Sequence, residues 1–102
     1  MYYIYMLRCR DNSIYTGITT NIDRRMEEHF SKNEKCAKYT YTHIAKKLEA
    51  TWETKNKSLA SKLEYHIKKL SKEKKELLIE SKDLNRVFFN DEKIDVDNYK
   101  KL

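Results

Sequence analysis

"YIYMLRCRDNSIYTGITT", residues 3–20, decides the fold. Two runs dense in Tyr, Ile and Thr flank the short segment "RDN" (10–12), which is a β-hairpin signature. Within the second run stands Gly17, the single glycine of a chain that has no proline. Loop length settles what Gly17 faces, because a shift of one residue in the pairing turns every side chain over. A two-residue turn at Asp11-Asn12 would put Tyr5 and Tyr15 on opposite faces, each mixed in polarity. A three-residue loop of Arg10, Asp11 and Asn12, with Asn12 left-handed, pairs Cys9 with Ser13, Leu7 with Tyr15 and Tyr5 with Gly17. The faces then separate by chemistry. Ile4, Met6, Ile14 and Ile18 suit a core, while Tyr3, Tyr5, Tyr15 and Thr19 surround the bare backbone of Gly17. A glycine opposite Tyr5 leaves room for a phenol ring or a ligand; a β-bulge explains an isolated strand glycine equally well.

Outward from the hairpin the period changes. Ile22, Met26, His29 and Phe30 recur at helical spacing, with Asn21 as N-cap and Asp23 in the first turn, so the spacing predicts a helix over 22–32. Residues 33–45, "NEKCAKYTYTHIA", keep no period and read as a loop. In "KKLEATWET" Leu48, Ala50 and Trp52 alternate with polar residues, which predicts a third strand over 46–54. Ser58 can cap a second helix carrying Leu59, Leu63, Ile67 and Leu70, and Ser71 a third carrying Leu77 and Leu78. The expected class is α+β: a three-stranded antiparallel sheet flanked by helices, in the order ββαβαα. Residues 1–81 form the expected domain. Residues 82–102 form a C-terminal tail that docks through Val87, Phe88 and Phe89 before its end frays.

Composition limits the function. At 102 residues one modest core is available. Charged residues reach 37%, and eight tyrosines argue against disorder. Residues 1–79 hold 17 Lys and Arg against 10 Asp and Glu, whereas 80–102 hold 5 against 6, so the basic surplus belongs to the body. That balance favours a polyanionic partner such as nucleic acid. Met1 leads straight into strand-like sequence with no signal-peptide pattern and no span long enough for a membrane, so a cytoplasmic location and no membrane partner are expected. Cys9 and Cys36 match no metal-ligand spacing and read as small buried hydrophobes.

Single residues say little. At about 100° per residue Arg25 and His29 stack one turn apart on the edge of the Ile22/Met26 stripe, bordering the core without entering it. Glu64 flanks the apolar stripe of its helix, four residues before Lys68, with which it can form an ordinary surface ion pair. Together, however, "YIY" (3–5), nine residues, "YTG" (15–17), "NIDRRMEEHF" with Arg25 and His29, and Glu64 in "KLEYHIKKLS" resemble the GIY-YIG nuclease superfamily. The likeness spans about residues 2–81. It is nearest to the small bacterial stand-alone members, through "YTGIT", the "AKYT" loop (37–40) and "IKKLS" (67–71). Tyr3 stands where the first glycine of the family name falls, which leaves the tyrosine pair intact.

The resemblance implies metal-dependent hydrolysis of a nucleic-acid phosphodiester, DNA before RNA, with Tyr5, Tyr15, Arg25, His29 and Glu64 as the catalytic set and Gly17 structural beside them. It implies one Mg²⁺ or Mn²⁺ on Glu64 and no organic cofactor. Tyr5 is the family's usual general base, which at neutral pH calls for a nearby cation to lower its pKa. Lys38, Tyr39, Lys68, Lys69 and Lys72 are candidates for contact with the nucleic acid. Many catalytic members place an asparagine after the glutamate; neither Asn85 nor Asn90 is carried over to that role. Two other readings compete: a non-catalytic nucleic-acid-binding module on the same fold, and a protein-interaction domain using Val87, Phe88 and Phe89.

Overall fold

The computed structural model describes residues 1–31, 38–88 and 91–102. Its hairpin forms in the three-residue register. Strands β1 (Tyr2–Cys9) and β2 (Ile14–Thr19) pair antiparallel, with Tyr5 opposite Gly17 and Leu7 opposite Tyr15. The Cys9 N–H donates to the Ser13 carbonyl at 2.9 Å, and Asn12 takes φ 70°, the left-handed conformation that Asn tolerates. Pairing runs past Gly17 without a shift, so no bulge explains it. A Cβ there would lie 2.5 Å from the Tyr5 hydroxyl oxygen and 2.7 Å from its Cζ. The glycine is room for a tyrosine ring.

Helix α1 (Ile22–Ser31) starts where Asn21 Oδ1 accepts from the Arg24 N–H at 3.1 Å. A short helix, α2 (Lys38–Thr42), occupies part of the stretch expected to be a loop. Strand β3 (Ala45–Thr54) lies beside β1, and here alternation misleads. Met6 pairs with Ala50 but Leu7 with Leu48, so Glu49 is an extra residue and the chain changes face there. Ala50 and Trp52 therefore reach the main core, while Leu48 turns to the other face and stays 38% exposed. Helix α3 (Lys57–Lys68) is capped by Asn56, which accepts from the Leu59 N–H, rather than by Ser58; α4 (Lys72–Ser81) is capped by Ser71 as expected.

The tail adds structure where fraying was expected. After α5 (Asn85–Phe88) and one 3-10 turn, Lys100–Lys101 form β4 against Trp52 and Glu53, giving a four-stranded sheet in the order β2-β1-β3-β4 instead of three strands. The Tyr99 hydroxyl donates to the Leu59 carbonyl at 2.7 Å, and Leu84, Phe88 and Ile94 are buried in the core. Phe88 is thus spent on packing and Val87 is half-buried, while Phe89, Asn90 and Cys36 lie outside the described residues.

The sheet has a core on each face. Ile4, Met6, Ala50 and Trp52 pack under α3, α4 and the tail. Tyr5, Leu7, Met26 and Ala45 pack under α1, with Tyr15 and Ile22 at the margin. Arg8 stands at the far end of β1, where its guanidinium grips Glu76 of α4 in bidentate fashion and donates from Nε to Glu49 at 3.0 Å. Among the described residues no helix is long and apolar enough to cross a membrane.

Candidate active site

The second, smaller core carries the polar residues. Because Tyr5 and Leu7 share a face of β1, and Met26 and His29 lie one turn apart on α1, docking α1 on that face brings His29 to Tyr5. His29 is completely buried, a correction to its expected place at the border. Two hydrogen bonds compensate its burial: the Tyr5 hydroxyl at 2.7 Å from Nε2 and the Thr40 hydroxyl at 2.6 Å from Nδ1. Arg25 Nε donates to the Tyr5 oxygen at 3.3 Å, and its Nη1 bonds Glu28 at 2.7 Å. The rings of Tyr5 and Tyr15 lie 6.2 Å apart, and each is within 5.6 Å of the His29 ring. Both tyrosines therefore occupy one side of the sheet, as the hairpin parity requires.

Glu64 approaches from the other layer. Helix α3 packs on the opposite face, but β2 is an edge strand, so the flank of α3 can reach round it. Lys68 comes to 5.8 Å from the centre of the Tyr15 ring and to 3.5 Å from the Glu64 carboxylate. The negative charge of Glu64 is felt at Tyr5. Tyr39 of α2 stacks on Tyr15 at 5.4 Å and on His43 at 4.2 Å. His43 in turn pairs with Asp11 at 2.5 Å, which ties α2 to the hairpin turn. Lys38 is exposed on the same short helix. Of the other expected contact lysines, Lys69 lies over the Tyr65 ring at 4.5 Å, and Lys72 bonds the Asn12 carbonyl at the hairpin turn.

Burial governs the protonation states. It raises the Tyr5 phenol far above its ordinary value, helped by Tyr15 and Glu64 and opposed by Arg25, so Tyr5 rests as a neutral phenol. The nearby cation is present, but desolvation outweighs it. His29 is pushed down to about 4 by burial and by the Arg25 charge, and rests as neutral imidazole. Burial works against the charge of Arg25, yet Glu28 and Tyr5 raise its pKa, so it stays a cation. Neutral Tyr5 can donate to neutral His29, and Arg25 supplies positive charge at the same oxygen.

The matching pattern is that of a known domain. The profile described as the GIY-YIG catalytic domain matches residues 1–76. The chain belongs to the GIY-YIG family. This is a family of nucleases, and the GIY-YIG match contains all five residues of the expected catalytic set. Among its relatives, the UPF0213 protein FN1575 of Fusobacterium nucleatum is 48% identical over 82 residues, 80% of each chain. The UPF0213 protein BH0048 of Halalkalibacterium halodurans is 46% identical over 81 residues, 79% of this chain and 84% of that one. The solution NMR structure of the UPF0213 protein BH0048 from Bacillus halodurans aligns with a TM-score of 0.52 at 41% identity, covering 88% of this GIY-YIG chain and 98% of the other.

Among the described residues no three His, Cys, Asp or Glu side chains gather as a metal-binding group. Glu64 meets a lesser demand. Mg²⁺ commonly takes one or two protein carboxylates and fills its shell with water and phosphate oxygens. The Glu64 side chain is 22% exposed, and its ion pair with Lys68 is long enough to exchange. Reading the sequence missed Thr40 and Glu28: Glu28 carries the i,i+3 helical spacing to Arg25 that could have found it, whereas Thr40, 11 residues from His29, carries no spacing signal.

Proposed function

We propose that this protein is a metal-dependent nuclease that hydrolyses phosphodiester bonds of nucleic acid. What supports the reading is the convergence of Arg25 and His29 on the Tyr5 hydroxyl oxygen, with Tyr15 beside them and the charge of Glu64 felt there. A divalent cation held by Glu64 would supply positive charge to the scissile phosphate and acidify a water. The chain's own residues do the rest. Arg25 places its guanidinium beside a non-bridging phosphate oxygen, where charge builds in the transition state. Tyr5 takes the proton of the attacking water once its own has passed to His29. Tyr15, with Tyr39 stacked on it and Lys68 over its ring, orients the strand; Lys38 adds charge next to them.

The test is incubation of purified protein with single-stranded, duplex and branched DNA and RNA, with and without Mg²⁺ or Mn²⁺. Product that depends on the metal is expected, with binding that weakens steeply as salt rises. Salt-sensitive binding without cleavage under any condition would leave a nucleic-acid-binding module on a nuclease fold.

A further inference from the structure

Thr40 has no part in the catalytic set described above, yet its position constrains that set. Its side chain is fully buried, and Oγ1 stands 2.6 Å from Nδ1 of His29. On the other side of the ring Nε2 stands 2.7 Å from the Tyr5 hydroxyl. A neutral imidazole carries a single N–H, so the two bonds are linked. If Thr40 accepts from Nδ1–H, Nε2 presents its lone pair. Tyr5 then donates its O–H to Nε2 and accepts from Arg25 Nε–H, and each atom has one consistent role. The opposite tautomer aims two N–H donors, from His29 and Arg25, at the Tyr5 oxygen and takes from the phenol hydrogen its acceptor on His29.

We propose that Thr40 is a positioning residue: by accepting Nδ1–H, it holds buried His29 in the tautomer whose Nε2 takes the phenol proton of Tyr5. The proposal rests on the nuclease reading for its role in turnover, but its structural claim stands separately. In the step it supports, the Tyr5 O–H bond breaks with its electron pair left on oxygen, and an N–H bond forms at Nε2. The imidazolium keeps Nδ1–H on Thr40, and Arg25 stays beside the phenolate. The phenolate then accepts the proton of the attacking water as the water oxygen bonds phosphorus and the bond to the leaving oxygen breaks; the proton on Nε2 returns to the Tyr5 oxygen, whose own proton passes to the leaving oxygen, and the site resets.

Nitrogen-15 NMR of the imidazole rings tests this without reference to activity. With the three histidines separated by His43→Gln and His66→Gln, His29 in the wild type should show a protonated Nδ1 and a bare Nε2 at pH 7. Thr40→Val, which keeps the shape and loses the hydroxyl, should lose that signature, and Thr40→Ser should keep it. In the cleavage assay Thr40→Val should lower kcat by about ten-fold or more, with KM held within about two-fold, because the ring N–H, without a partner at Nδ1, moves to Nε2 and blocks the acceptor of the phenol proton. Its pH–rate profile should shift, and Thr40→Ser should recover most of the rate. A wild-type His29 protonated on Nε2 overturns the proposal, as does Thr40→Val with both the wild-type tautomer and the wild-type kcat. Should Thr40→Val fail to fold, the wild-type spectrum and Thr40→Ser still decide. If no nucleic acid is cut but the Nδ1–H tautomer is found, the nuclease reading falls and the positioning of His29 stands.

Discussion

Gly17→Ala probes the space left for the Tyr5 ring. The added Cβ would sit 2.5 Å from the Tyr5 oxygen, 2.7 Å from Tyr5 Cζ and 3.0 Å from Tyr15 Cε2. Ordinary contact between carbons is about 3.5–4.0 Å, so the Tyr5 ring must retreat by about 1 Å. It has little freedom to do so. Tyr5 is 1% exposed, and its hydroxyl is set at 2.7 Å from a His29 that is itself wedged against Thr40. Overpacking of this kind costs about 1–3 kcal/mol, offset by about 0.4–1 kcal/mol from the stiffer unfolded chain. Backbone strain adds nothing, since the φ of Gly17 is not positive. The variant should be destabilised by about 1–2 kcal/mol, which for a domain of this size lowers Tm by roughly 5–15 °C. Thermal unfolding followed by circular dichroism reads the shift. Tyr5→Phe removes the atom at 2.5 Å but leaves the one at 2.7 Å, so the double variant should cost less than the sum of the two single changes. Wild-type stability in Gly17→Ala, or strict additivity with Tyr5→Phe, would show that Gly17 is not there to admit the tyrosine.

Glu64→Ala should abolish metal-dependent cleavage yet change stability by no more than about 0.5 kcal/mol, because the ion pair it loses, to Lys68 at 3.5 Å, is a loose one; cleavage at the wild-type rate would place the metal elsewhere. Arg25→Ala should lose both rate and affinity for nucleic acid, as its guanidinium meets the phosphate before and during reaction; retention of both would remove it from the catalytic set. His29 has a folded-state value of about 4 against its ordinary 6.5, so between these values the unfolded chain binds more protons. The resulting stability, about 3 kcal/mol, is complete above pH 6.5 and is lost as pH falls through 4. Urea midpoints across that range should fall, and His29→Gln should flatten the profile. Truncation after Ser81 removes the buried Leu84, Phe88 and Ile94 together with β4, and should leave no cooperative unfolding transition; a sharp one would show that residues 1–81 fold by themselves.

Much of the site was legible because it depends on short-range rules. Loop chemistry at Arg10-Asp11-Asn12 gave the hairpin parity, and parity alone puts Tyr5 and Tyr15 on one side and Gly17 across from Tyr5. Helical spacing put Arg25 and His29 on one edge of α1, and the caps at Asn21 and Ser71 were readable from side chains able to accept a backbone N–H three residues on. The depth of His29 was not legible. Spacing places a residue on a face of a helix, but the partners that allow a histidine to be buried, Tyr5 and Thr40, come from 24 residues before it and 11 after it.

What the sequence by itself determined is therefore the hairpin register and helices α1, α3 and α4, which follow from dihedral preferences, alternation and capping acting over a few residues. The set of residues gathered at the tyrosines was legible only through the family resemblance, and α2, α5 and Thr40 were not legible at all. Tertiary structure alone decided the rest. The extra residue at Glu49 turns Leu48 out of the main core because β3 must keep its pairing with β1, 40 or so positions away. Strand β4 exists because the edge of β3 has unpaired backbone groups for residues 100–101 to meet. The protonation states of Tyr5 and His29 likewise belong to the fold. Isolated side chains keep their ordinary values, and only packing α1 against the sheet removes the water that would otherwise solvate their charged forms.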